Sequence, residues 1–188
     1  MTTEPLSENE RWLLSFYRTS EISGALLFGR LAKAMRPGPV QIDMTQHFAD
    51  EAQHAAYWTR CIAELHAEPL KLSVSYQDQY LDAAGLPMNL MEVLSITQVF
   101  EQRVLNQYTR HLHAPNIRPE VQAVLRRIMN DEKWHVKWVR EALAGMEATY
   151  GKDRIEATLT RHRAADRLVY DRTRAEHEER LEFLFAAA

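Results

Sequence analysis

Polar and apolar positions alternate along this chain in steps of three and four, the spacing of one face of an α-helix. Leu13, Tyr17, Glu21, Gly24, Phe28, Leu31 and Met35 form a first stripe. Ser7 with Glu10 three residues later is a capping-box start for it, and Arg36–Pro39 (RPGP) is its stop. A second stripe runs through Met44, His47, Glu51, His54, Trp58, Cys61 and Leu65 and ends before Pro69. A third, between Pro87 and Pro115, takes Leu90, Leu94, Gln98, Glu101, Leu105, Tyr108 and Leu112. A fourth starts at Pro119 and ends near Gly151, through Val121, Leu125, Ile128, Glu132, His135, Val139, Ala142 and Met146. A fifth, highly charged helical segment follows from about Asp153 to Phe185.

The connections decide how these helices associate. Helices one and two share a short Pro/Gly loop, and so do three and four, which makes each pair antiparallel neighbours. Between two and three lies a longer piece, about Glu68 to Pro87, containing the strand-like Leu70–Tyr76 (LKLSVSY). It is long enough to run the length of a bundle. The expectation is an all-α fold: a four-helix bundle with one long crossover between helices 2 and 3, plus a C-terminal fifth helix. One domain should span residues 1–188, with the bundle at about 8–149 and the extra helix at about 153–185.

Six polar residues interrupt the stripes in phase, so each should point inward. Helix one carries Glu21, helix two Glu51 and His54, helix three Glu101, helix four Glu132 and His135. Glu21 to Glu51 is 30 positions and Glu101 to Glu132 is 31, as if one hairpin were written twice. Each copy gives a lone Glu and a Glu-x-x-His, whose two side chains share a helix face. A single such motif is usually a surface pair; two, with two further in-phase glutamates, make a metal site. Unpartnered carboxylates in a core cost several kcal/mol or protonate. No Lys or Arg interrupts the stripes near them, and two divalent cations would neutralise four carboxylates. Oxygen and imidazole donors without a cysteine cluster suit iron or manganese.

Composition narrows the setting. The formal net charge of −3 over 188 residues argues against a general nucleic-acid binder. From residue 101 onward the chain holds 16 of its 23 Lys/Arg and 14 of its 26 Asp/Glu, a mildly basic half. Cys61 is the only cysteine, so there is no disulfide framework and no cysteine-based metal module. The polar N-terminus is unlike a signal peptide and no apolar run suits a membrane, so a cytoplasmic location is expected.

Over roughly Leu13 to Met146, the six residues and the crossover resemble the ferritin-like di-iron carboxylate superfamily. The resemblance implies that Glu21, Glu51, His54, Glu101, Glu132 and His135 ligate two iron ions, with manganese or a mixed Mn/Fe pair as alternatives, and that Glu51 and Glu132 bridge. Asp50 and Asp131 precede the motif glutamates. In the hydroxylase subunits of bacterial multicomponent monooxygenases, which the motif is similar to, the acid at this place hydrogen-bonds the histidine of the other motif. That implies Asp50 to His135 and Asp131 to His54, orienting each imidazole. His47, one turn before Glu51, is a candidate extra ligand or else a non-ligating histidine near the helix start. Gly24, Ala25 and Gln98 are candidate cavity residues; close helix packing is the other role for the small ones. Tyr17, Trp58, Tyr108 and Trp138 are candidate electron relays or plain core.

Rubrerythrins typically add a glutamate near the third-helix ligand and a cysteine-rich module, and ferritins have a less symmetric site. The resemblance thus favours an oxygenase: a non-haem di-iron enzyme that activates O₂ to hydroxylate, desaturate or N-oxygenate a small organic substrate. It would draw electrons from an external ferredoxin or reductase, and a homodimer is compatible. The competing readings are a ferroxidase-type iron-handling protein, a rubrerythrin-like peroxidase and, given the basic half, an RNA-modifying hydroxylase.

Overall fold

The computed structural model describes residues 4–72 and 76–181, without the side chains of 76–78, 174–179 and 181. Among the described residues the chain is all-helical, with seven helices and no strand: α1 (Glu8–Ala34), α2 (Pro39–Glu64), α3 (Tyr76–Ala84), α4 (Leu90–Leu112), α5 (Pro119–Gly145), α6 (Glu147–Tyr150) and α7 (Lys152–Leu181). None of them is long and apolar enough to cross a membrane.

Local chemistry sets the helix limits. Ser7 Oγ accepts from the Glu10 amide at 3.2 Å while Glu10 Oε2 accepts from the Ser7 amide at 2.9 Å, so the expected capping box closes. Pro39 is the first residue of α2, where its missing N–H costs nothing. The structure departs from the sequence pattern in two places. Residues 70–72 of the strand-like stretch have no regular structure, residues 73–75 lie outside the described residues, and Tyr76 already belongs to α3. Gly85 closes that helix in the left-handed region, φ 79°, with its amide on Leu81 O. The fourth stripe does not run unbroken to Gly151. It stops at Gly145, a single turn of α6 follows, and Gly151 at φ 82° turns the chain into α7.

The chain divides into two compact units. The first comprises Met1–Ser75, His111–Ile128 and His177–Ala188. In it α1 and α2 pack antiparallel, turn against turn. Tyr17 meets Trp58 with ring centroids 5.2 Å apart, Glu21 faces His54, Gly24 faces Glu51, and Phe28 meets His47 at 4.0 Å. Every position of the second stripe, Met44 to Leu65, is buried. The end of α4 and the start of α5 attach through Tyr17 to His111 at 3.1 Å and Arg118 to Glu10 at 2.6 Å.

The second unit comprises Tyr76–Arg110 and Met129–Glu176. Here α7 is a packed element despite its charge. Its Asp166 is bound by Arg103 of α4, whose guanidinium also lies 3.9 Å from the Tyr170 ring centroid. Its His162 Nδ1 is hydrogen-bonded to the Tyr80 hydroxyl of α3 at 2.6 Å, and Tyr80 in turn meets Phe100 of α4 edge-on at 4.6 Å. This explains why Leu94, Ser95, Ile96 and Thr97 are all buried, more than one stripe of α4 requires.

Candidate metal centre

Each unit contains one buried set of two glutamates and a Glu-x-x-His histidine. In the first unit, α1 supplies Glu21 and α2 supplies Glu51 and His54, all 6 % exposed or less. One donor atom from each of these three lies within 4.8 Å of the other two. His54 Nδ1 is 3.5 Å from Glu21 Oε2. In the second unit, α4 supplies Glu101 and α5 supplies Glu132 and His135, none more than 4 % exposed. His135 Nδ1 lies 3.5 Å from Glu101 Oε2 and 3.6 Å from Glu132 Oε2.

These separations have a meaning. They exceed the usual N–H···O distance of about 2.9 Å. Two donors that each stand about 2.1 Å from a shared ion, at roughly 110° to one another, are about 3.4–3.5 Å apart. The donors thus stand close enough to share an ion, and they are carboxylate oxygens and imidazole nitrogens. A metal pair fits the residues present.

His47 is more than a helix-start residue. It sits in the third turn of α2, fully buried, with its ring against Phe28 and Nε2 3.4 Å from Glu51 Oε1. That is the same spacing as the motif pairs. On α2, His47, Glu51 and His54 fall at i, i+4 and i+7, so all three lie on one face. Glu51 has its other oxygen over Gly24. A Cβ at Gly24 would press into Glu51 Oε2 and stand 3.1 Å from Glu51 Cδ. The missing side chain of Gly24 leaves room for the Glu51 carboxylate. Ala25 is buried, and Gln98 is half-buried, its Oε1 without a hydrogen-bond partner among the described residues.

Asp50 and Asp131 are half-buried, each next to its motif glutamate. Asp50 Oδ1 accepts from Gln46 Nε2 at 2.7 Å.

Three buried features escaped the sequence pattern. Phe28, which braces His47, was legible only as an apolar stripe member. The Tyr17 hydroxyl is hydrogen-bonded to His111 Nδ1 and that of Tyr80 to His162 Nδ1, pairings that join α1 to α4 and α3 to α7. Burial, only slightly offset by Glu10, pulls the His111 imidazole down to about 4, so it is neutral at pH 7. Burial also lowers His162, with Arg161 adding to it, and raises the Tyr80 phenol. Cys61 is a buried free thiol pushed up to about 12, first by burial and then by Glu64 and Glu120, which makes it unreactive.

No family model matches this chain, and it has no match among curated proteins or solved structures.

Proposed function

We propose that this protein is a dinuclear non-haem metal enzyme, an O₂-dependent oxidoreductase that oxidises a small organic molecule. The observation that supports it is the pair of buried donor sets, Glu21/Glu51/His54 and Glu101/Glu132/His135, each spaced for ligation. Together they offer four carboxylates and two imidazoles to two ions, with His47 as a further donor beside Glu51. The bound iron would supply the electrons and the open coordination position that O₂ needs.

The chain's own residues set the conditions. The four carboxylates would balance the charge of two divalent ions and leave the reduced site near neutral. Burial excludes water from the donors. Asp50 and Asp131, each beside a motif glutamate, would act as outer carboxylates that fix the tautomer of a ligating histidine. Phe28 packs on His47 and limits where its Nε2 can point. Electrons would come from a ferredoxin or reductase, with manganese or a mixed pair as alternative metals.

The test is anaerobic titration of metal-free protein with ferrous iron, followed by O₂. Saturation at two ions per chain, with oxidation that then stops unless substrate and reductant are added, is the expected result. Continued oxidation of many equivalents, with a soluble ferric core retained, would assign the chain to iron handling instead. No specific uptake of two ions would sink the metal reading altogether.

A further inference from the structure

In the first unit, the layer one turn beyond the metal donors is aromatic. Tyr17 precedes Glu21 by four residues on α1 and Trp58 follows His54 by four on α2, so each lies about 6 Å along its helix from a donor. Their ring centroids are 5.2 Å apart, and both side chains are buried. Tyr17 is also the residue whose hydroxyl reaches an imidazole, His111 Nδ1 at 3.1 Å. His111 is 4 % exposed and lines a narrow cleft with Glu10 and Arg118, whose paired side chains are partly exposed.

A phenol that loses an electron becomes a very strong acid. In a core it can be oxidised reversibly only if a base within hydrogen-bond distance takes its proton and later returns it. A neutral imidazole with a free lone pair is such a base. A buried phenol needs a hydrogen-bond partner in any case, as Tyr80 has in His162; Tyr17 differs in that its ring also stands one turn from the donors Glu21 and His54.

We infer that Tyr17 is a proton-coupled redox residue of this protein, with His111 as its proton acceptor and Trp58 as the aromatic contact on the donor side. It rests on the metal reading above. In the forward step the Tyr17 phenol would give up one electron, for which the metal pair held by the donors, once oxidised by O₂, would be the acceptor. In the same step the O–H bond breaks, the proton forms a bond to His111 Nδ1, and a neutral tyrosyl radical faces an imidazolium. The return step takes one electron from an external one-electron reductant and the proton back from His111. Nδ1 must then be the acceptor nitrogen, with the hydrogen on Nε2. The pair would carry oxidising equivalents away from the buried donors when no organic substrate is present.

The test mixes the iron-loaded full chain with O₂ without substrate, freezes it at intervals and reads the tyrosyl signal by electron paramagnetic resonance. Wild type, Tyr17→Phe, His111→Gln, Trp58→Phe and Tyr80→Phe are compared after each is shown to take up two ions. The glutamine keeps a hydrogen-bond acceptor for the hydroxyl but cannot take its proton, so a merely structural His111 would leave the signal unmoved. The expected result is a radical in wild type and in Tyr80→Phe, its loss in Tyr17→Phe and in His111→Gln, and slower formation in Trp58→Phe. A signal that survives Tyr17→Phe, or follows Tyr80 instead, overturns the proposal. Two bound ions and O₂ consumption with no radical in wild type overturn it while leaving the metal reading intact. Failure of wild type to bind two ions removes both.

Discussion

Replacing Gly24 by alanine should raise the stability of the metal-free protein and lower its affinity for metal. The two effects have opposite signs for separable reasons. Gly24 lies inside the 27-residue α1, where a glycine costs about 0.5–1 kcal/mol relative to alanine through backbone entropy. Against this gain stands the contact of the new Cβ with Glu51, 3.1 Å from Cδ and closer to Oε2. Overpacking costs about 1–3 kcal/mol where neighbours are rigid. The atoms here are the end of a flexible side chain, so the carboxylate should rotate away at little cost. The metal-free variant should then melt slightly higher, by about 2–4 °C per kcal/mol for a chain of this size. The displaced carboxylate is, however, one of the proposed metal donors. A misplaced supporting contact typically costs about 10–100-fold in metal affinity, or about 1.4–2.7 kcal/mol of metal-linked stabilisation. The assay is paired thermal denaturation with and without ferrous or manganous ion, plus calorimetric titration. Gly29→Ala is the control, since its Cβ would meet only Phe48, a 38 % exposed ring that can give way. A Gly24→Ala protein that binds metal as wild type does would refute the role assigned to this glycine.

Glu51→Ala and His135→Ala should each lower bound metal below two ions per chain, measured by elemental analysis of purified protein; unchanged content in both would remove the donor assignment. Asp50→Asn should keep the fold and weaken metal binding by about 10–100-fold, and wild-type affinity would mark Asp50 as an ordinary helix acid. Because His111 titrates at about 4 when folded and at its ordinary 6.5 when unfolded, the unfolded chain binds more protons between those values. Stability of the metal-free protein should therefore fall as pH drops from 6.5 towards 4, by roughly 3 kcal/mol from this group, and stay level above 6.5. Urea midpoints for wild type and His111→Gln across that range check it, the variant showing the shallower slope. Finally, His47→Leu and Gly24→Ala should be non-additive in a double-mutant cycle of metal affinity, since both act through the same Glu51 carboxylate.

The parts of the fold written as strict periodicity were legible. The second stripe is buried at every position, and the in-phase polar residues Glu21, Glu51, His54, Glu101, Glu132 and His135 are all buried. Such residues announce themselves because a charged side chain on an apolar face is anomalous. What stayed hidden lacks that contrast. Helix α3 is a nine-residue element preceded by β-favouring residues, and its burial comes from Tyr80 meeting α4 and α7, contacts far apart in sequence. Helix α7 has no clear apolar stripe because part of what it buries is polar: His162, whose Nδ1 meets Tyr80, and Asp166, bound by Arg103. His111 fell off the third stripe by one residue, so Leu112 stood in its place, yet Leu112 is only half-buried. The role of Gly24 was invisible for a different reason. A sequence shows that a side chain is small, not whether space or a neighbour's carboxylate takes its place.

The two hairpin copies differ where their shared donors do not require likeness, and the differences concern one side chain. The counterpart of Gly24, three residues after Glu101, is Val104; the counterpart of His47, four residues before Glu132, is Ile128. Glu132 has Oε2 3.6 Å from His135, one turn C-terminal to it. Glu51 instead puts Oε1 3.4 Å from His47, one turn N-terminal, and lays Oε2 over the α1 backbone. That posture needs both changes together. A β-branched residue at position 24 would fill the space that Oε2 occupies, and an isoleucine at 47 would leave Oε1 facing a surface that cannot share an ion with it. The glycine and the extra histidine therefore form one device, fixing a carboxylate that spans a nitrogen donor on one side and Glu21 with His54 on the other. The sequence repeat sets out two equal sets of donors. Gly24 and His47 make the first unequal to the second, and that inequality would let two chemically identical ions differ in affinity and in their response to an incoming oxidant.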